Sequence, residues 1–139
     1  MTKISFTSPT PTLNFGIIGN CKSAALINED SSIDWCCLPQ FDSPSVFGKV
    51  IDENIGGHFK IECDTSYHIT QTYIKNTAIL CTRFENDNNA FEVLDFMPRF
   101  QKDNGSYHAP PELSRILRHV KGKPSCRIIY NPKLEYALG

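Results

Sequence analysis

The feature that most restricts the fold of this chain is a series of short apolar or alternating segments, each ended by turn residues. Runs of this length, separated by Gly, Asn, Asp and Ser, are typical of antiparallel β-strands joined by tight turns. Residues 113–120 also fit helical spacing, but strands on both sides favour a strand there. The sequence predicts strands over 13–18, 23–28, 32–37, 59–63, 67–74, 78–84, 91–96, 113–120 and 126–130.

One short helix is predicted over 45–52, where an apolar face follows the turn at Ser43-Pro44. Prolines on both sides of the last strand predict that it lies at a sheet edge or is bent. Many short strands with regular turns indicate an all-β, antiparallel β-sandwich with this one helix. We expect a flexible Ser/Thr/Pro-rich lead over 1–12 and a single β-domain over 13–139.

Charge and composition exclude several classes of function. The 14 Lys and Arg residues nearly balance 15 Asp and Glu, giving a formal net charge of −1 and no basic footprint for nucleic acid or an anionic membrane. No segment approaches the ~20 apolar residues of a membrane span. The N-terminus lacks the apolar segment of a signal peptide, and we therefore expect a cytoplasmic protein.

Neither the cysteines nor the histidines show the spacing of a metal site. The six cysteines form no C-x2-C pair and are too sparse for a disulfide scaffold, so we expect reduced, mostly buried thiols. The four histidines are dispersed as well. The sequence therefore predicts no metal site and no cofactor.

The densest group of polar and aromatic side chains lies between residues 34 and 43. Aromatic rings stack on the apolar faces of sugars, and carboxylates and amides bind hydroxyl groups, so a carbohydrate site uses such residues. The candidate substrate-proximal residues are Asp34, Trp35, Gln40, Phe41, Asp42 and Ser43. From spacing alone, a core tryptophan beside a turn capped by Asp42 and Ser43 is the favoured explanation.

Several short motifs follow one another in a definite order along the chain. They are Gly16-Ile17-Ile18-Gly19-Asn20-Cys21, Ser32-Ile33-Asp34-Trp35, Leu38-Pro39, Phe41-Asp42-Ser43-Pro44-Ser45, Gly56-Gly57-His58-Phe59 and Val93-Leu94-Asp95-Phe96-Met97-Pro98-Arg99. Together these motifs, from about residue 13 to the C-terminus, resemble the N-terminal domain of glucoamylase- and trehalase-like glycoside hydrolases of family 15. Lys22 and Gln40 depart from this pattern, since arginine is common at both positions.

The resemblance implies a β-sandwich that precedes an (α/α)6 barrel, and the barrel carries two catalytic glutamates that invert the anomeric centre. Such a barrel needs about 175 residues for its helices and loops, which is more than this whole chain. The catalytic barrel is therefore expected to be absent. The candidate carboxylates for acid/base chemistry are Asp34, Asp42 and Asp95. Turn capping and salt bridging are their expected roles. We assign no catalytic residue.

The resemblance also implies a supporting role. The domain is expected to shape the active site of a barrel that lies in the same or another polypeptide, within an inverting hydrolase of α-glucosides. By itself this segment is expected to be inactive. The alternative is a free-standing carbohydrate-binding or protein-interaction module. Exposed sheet edges would also allow self-association.

Overall fold

The computed structural model describes residues 14–135, and within that range the chain forms twelve β-strands and no α-helix. The predicted lead over 1–12, residue 13 and the last four residues of the predicted domain lie outside the described residues. The strands are β1 (Phe15–Gly19), β2 (Ala24–Asn28), β3 (Ile33–Cys37), β4 (Ser45–Phe47), β5 (His58–Glu62), β6 (His68–Tyr73), β7 (Leu80–Glu85), β8 (Ala90–Phe96), β9 (Phe100–Gln101), β10 (Tyr107–His108), β11 (Ser114–Lys121) and β12 (Arg127–Asn131).

These strands form two sheets and one small hairpin. The first sheet has the order β1-β2-β3-β5-β12, with β4 paired to β3, and the second has the order β11-β8-β7-β6. All strand pairs are antiparallel, and β9 pairs with β10 alone. The predicted class, an all-β antiparallel sandwich, is confirmed. The last predicted strand, β12, is an edge strand as its flanking prolines indicate.

The predicted helix over 45–52 is wrong. Ser45 and Phe47 instead pair with Cys37 and Cys36 of β3, and a turn follows in which the amide of Gly48 donates to the carbonyl of Gly56 over 2.7 Å. The apolar residues of this segment do not share one buried face, because Phe47 is 4% exposed whereas Val50 is 44% exposed. Pairing with a buried strand outweighs the helical spacing.

The core lies between the two sheets and consists of two clusters. The first joins residues of β1, β2 and β3, such as Ile18 and Ile27, to Leu80 of β7. The second joins Ile61 of β5 to aromatic residues of the second sheet, where Phe84 and Phe91 stack with ring centroids 4.7 Å apart. Burying one such side chain stabilises the fold by about 1.5–3 kcal/mol, so these clusters hold the sheets together.

Candidate functional site

The loop over residues 38–44 follows β3 and carries four of the six candidate site residues. The peptide bond between Leu38 and Pro39 is cis. The amide of Gln40 donates to Ser43 Oγ over 3.1 Å, and the amide of Ser43 donates to the Gln40 carbonyl over 3.1 Å. This reciprocal pair closes a tight turn, and the side chains of Gln40, Phe41 and Asp42 are left exposed.

The 38–44 loop is tied to the turn between β1 and β2. The amide of Phe41 donates to the Lys22 carbonyl over 3.0 Å. Asn20, which is 1% exposed, organises this turn, because its Oδ1 accepts from the amides of Lys22 and Ser23 over 3.0 and 3.1 Å. Its Nδ2 donates to the carbonyl of Pro110 over 2.8 Å. Three separate segments of the chain therefore meet at this end of the sandwich.

The hairpin of β9 and β10 adds exposed aromatic residues near this end, because Pro110 follows β10 by only two residues. Phe100 and Tyr107 are 56% and 54% exposed, and the Arg99 guanidinium lies over the Tyr107 ring, 3.9 Å from its centroid. Spacing along the sequence does not group Arg99 with the candidate site. The closeness of Arg99 to the site arises only from tertiary structure, because the Asn20–Pro110 hydrogen bond that brings this segment near joins residues 90 positions apart.

Asp34 and Trp35 lie in β3 itself and not in the loop. Asp34 is 5% exposed and accepts hydrogen bonds from Asn28 Nδ2 over 3.1 Å and from Ser32 Oγ. Those partners belong to the turn at the start of β3, whereas Asp42 follows its end, so the structure does not bring the two carboxylates together. Trp35 is half-buried and lies opposite Leu26.

The third carboxylate considered for acid/base chemistry, Asp95, is fully buried. Arg115 holds it through two hydrogen bonds, from Nε over 2.7 Å and from Nη2 over 2.9 Å. Burial raises the pKa of Asp95, and the hydrogen bonds and charge of Arg115 oppose that rise. Enclosed in this way, Asp95 has no access to a substrate.

The described residues show no arrangement for metal chemistry. Among residues 14–135, no group of three or more His, Cys, Asp or Glu side chains is placed to hold a metal ion. The six cysteines all lie in this range, and none of them forms a disulfide bond. Burial raises the pKa of the Cys36 thiol to about 12 and that of Cys63 to about 11, which disfavours the reactive thiolate. Within the same range, no helix is long and apolar enough to cross a membrane.

Comparison with known proteins gives the family. Residues 4–138 match the model of the family described as trehalase-like, N-terminal. The chain belongs to this family of trehalase-like N-terminal domains, and the resemblance seen in the ordered motifs is confirmed.

The relatives are much longer proteins. The chain is 37% identical over 126 residues to "Trehalase 2" of Sulfolobus acidocaldarius, a match that covers 91% of this chain and 19% of that protein. It is 33% identical over 124 residues to "Trehalase" of Thermoplasma volcanium, covering 87% of this chain and 19% of the relative. The chain thus spans about a fifth of the length of these curated relatives. No solved structure matches it.

Proposed function

We propose that this chain is the non-catalytic N-terminal β-sandwich domain of a trehalase-like hydrolase of α-linked glucosides. It supports and shapes the active site of an (α/α)6 barrel domain, in the same polypeptide or in another. The observation that carries the proposal is the family match over residues 4–138 together with relatives named trehalase, of which the chain spans about a fifth. In this proposal residues 13–139 act as one domain behind a short lead, in a reducing, cytoplasmic compartment.

The state of the carboxylates supports a non-catalytic role. Inverting glycoside hydrolysis needs two carboxyl groups about 6.5–9.5 Å apart on either side of the scissile bond. Asp34 and Asp95 are buried and held by hydrogen bonds, and Asp34 lies near the start of β3 whereas Asp42 lies in the loop beyond its end. In this proposal the acid and base of the reaction come from the barrel domain.

The 38–44 loop supports the site-shaping part of the proposal. Its turn is closed by two hydrogen bonds and anchored to Lys22, so it presents Gln40, Phe41 and Asp42 from a fixed backbone. Fixed aromatic and polar groups suit contacts with a sugar or with the rim of an active site. Ser43 closes the turn of this loop, and Asp34 and Trp35 lie in β3, the strand that leads into it. Gln40 contributes an amide where the family resemblance leads us to expect an arginine, so it offers fewer hydrogen-bond donors.

Two proteins test the proposal: the chain alone, and a chimera in which the chain replaces the matching segment of "Trehalase 2" from Sulfolobus acidocaldarius. The chain alone is expected to hydrolyse neither trehalose nor maltooligosaccharides, whereas the chimera is expected to hydrolyse trehalose. Turnover by the chain alone at a rate comparable to the chimera would overturn the non-catalytic role.

Substitutions in the loop test its contribution to the active site. Phe41→Ala in the chimera is expected to raise KM or lower kcat several-fold, and Ile55→Ala is the control, since Ile55 is also exposed but lies in the 48–57 turn. Equal kinetics for both variants would show that the loop does not contact the site.

A further inference from the structure

One side of the sandwich is open in both sheets at once. β12 ends the first sheet and β11 ends the second, and the short segment over 122–126 joins these two strands. Among the described residues, β12 pairs only with β5 and β11 only with β8. Each strand therefore has one edge without a strand partner, and both edges lie on the same side of the molecule.

The strand register places apolar side chains of this side on the core face. Ile128 lies directly opposite Ile61, which is 1% exposed, and Leu117 lies opposite Val93, which is 0% exposed. Directly opposite residues in an antiparallel pair project from the same face of the sheet. Ile128 and Leu117 thus point into the sandwich interior, yet they are 57% and 41% exposed.

Tyr130, two positions further along β12, also faces the core and is also exposed. Tyr130 lies opposite Phe59 and contacts its ring edge-on, with ring centroids 5.2 Å apart, although Tyr130 is 63% exposed. A cavity of about 400 Å³ lies beside β11 and the segment that joins it to β12, lined by Leu117, Cys126 and neighbouring residues. The interior of the sandwich is therefore uncovered where β11 and β12 end it.

On the opposite side of the molecule, a hydrogen-bonded contact joins the two sheets. There the hydroxyl of Tyr73 in β6 accepts a hydrogen bond from the amide of Ile17 and donates one to its carbonyl, each over 2.8 Å. A side chain of the second sheet thus satisfies the backbone N–H and C=O of Ile17 in edge strand β1. Tyr73 bridges the two sheets at this point, and a cavity of about 570 Å³ lined by residues of β1, β6 and β7 lies beside it.

We propose that the β11–β12 side receives one or more β-strands from the remaining part of a trehalase-like polypeptide, with apolar residues facing the core and acidic residues facing outward. This inference rests on the proposed function. The length of the relatives supports this occupant, because four-fifths of their chain lies outside the matched segment. Added strands would pair with the free edges and cover Ile128, Tyr130 and Leu117.

The charges on this side favour a strand from the remaining polypeptide over a second copy of the chain. The open side carries Lys123 and Lys133, which form no salt bridge within residues 14–135. It also carries Lys121, whose Nζ donates to the carbonyl of Asp87 over 2.6 Å. A second copy would bring equal charges to the same border, which is unfavourable across strands. Acidic residues on an incoming strand would be attracted there instead.

Amide hydrogen exchange tests the proposal directly. In the chain alone, the outward amides of β11 and β12 are expected to exchange quickly, and in the chimera with "Trehalase 2" at least ten times more slowly. Exchange that is equally fast in both proteins would overturn the proposal. So would slow exchange in the chain alone that accompanies a dimer in sedimentation, since a second copy would then be the occupant.

A matched pair of variants provides a second measurement. Ile128→Lys and Ile55→Lys change the same residue type at 57% and 54% exposure, so both are expected to leave the Tm of the chain alone almost unchanged. In the chimera, Ile128→Lys is expected to lower Tm by several degrees and restore fast exchange in β12, and Ile55→Lys is not. Equal effects of the two variants in the chimera would contradict the proposed surface.

Trehalose turnover, measured on the same proteins, keeps the two proposals apart. Protection of β11 and β12 in a chimera that folds but does not hydrolyse trehalose would support the surface and count against the proposed function. Trehalose turnover without protection of β11 and β12 would support the proposed function and count against the proposed surface.

Discussion

Arg115 and Asp95 form a fully buried ion pair that connects the two sheets. The side chains are 2% and 0% exposed, and Arg115 also donates to the carbonyl of Phe59 in the first sheet over 2.8 Å and to that of Ser31 over 2.6 Å. Every polar group of the pair therefore has a partner, which is the condition under which a buried pair is tolerated. Asp95 belongs to one of the family-like motifs, and its place here is structural.

Breaking this pair from one side is expected to destabilise the fold strongly. Arg115→Met leaves the Asp95 carboxylate buried without its partner, and we expect it to lower the free energy of unfolding by about 3–5 kcal/mol. Asp95→Asn combined with Arg115→Met removes both charges and should cost less than the sum of the single changes. Urea unfolding of the three variants measures this. Additive costs would mean that the two residues act independently.

Acid is expected to destabilise the protein through two paired glutamates. A hydrogen bond from Arg83 lowers the pKa of Glu85. Burial alone would raise the pKa of Glu92, but hydrogen bonds from Arg118 and Arg83 outweigh burial, and the pKa is lowered. Carboxylates whose folded pKa is depressed stabilise the protein above their unfolded pKa, about 4.3, and lose that contribution as the pH falls through the folded value.

We therefore expect the contribution of these two glutamates to stability to be level above about pH 5 and to fall on further acidification. Glu92→Gln should flatten this fall, and Glu53→Gln, at an exposed position, serves as the control. Thermal unfolding between pH 3 and pH 7 measures the difference. A fall of the same size in Glu92→Gln and in the unsubstituted protein would rule out this origin.

The hydroxyl of Tyr73 is expected to protect strand β1. Tyr73→Phe removes both hydrogen bonds to Ile17, and because Tyr73 is 46% exposed, water replaces part of the loss. We expect a cost of about 1 kcal/mol. The amide of Ile17 should also exchange faster, while amides of β3 should not change. Unaltered exchange at Ile17 would show that the hydroxyl does not close this edge.

Gly57, directly before β5, is expected to contribute strongly to the stability of the fold. Gly57 has a φ of +75°, and a Cβ there would lie 2.5 Å from the carbonyl oxygen of Asn131 in β12. Gly57→Ala is therefore expected to cost more than the roughly 1–2 kcal/mol of a left-handed residue. Gly105 is the control, because its φ is +81° and no atom lies within 4 Å of the added Cβ. Equal costs at both positions, measured by urea unfolding, would exclude the contact with β12.

Sequence patterns predicted most of this fold because most strands alternate between core and solvent. In β8, for example, Phe91 and Val93 face the core, and the strand was expected over 91–96. β4 was missed, because its apolar residues fit a helix and only pairing with Cys36 and Cys37 makes it a strand. β9 and β10, with two residues each, are too short to leave a pattern.

In the candidate site, the local turn was predictable from the sequence and the arrangement of distant segments was not. Gln40 and Ser43 are neighbours in sequence, and a turn there was evident from the residues alone. The separation of Asp34 from Asp42 depends on the direction of β3, and the approach of Pro110 to Asn20 depends on the whole second sheet. Distances of this kind arise from tertiary topology, which spacing along the chain does not encode.

The lysines that border β11 and β12 have a consequence for the behaviour of the chain in concentrated solution. Unpaired strands with inward-facing Ile128 and Leu117 would template the growth of intermolecular sheets. Lys121, Lys123 and Lys133 flank these strands, and like charges repel a second chain before backbone contacts form. The same residues that select an acidic partner strand thereby act as gatekeepers against aggregation.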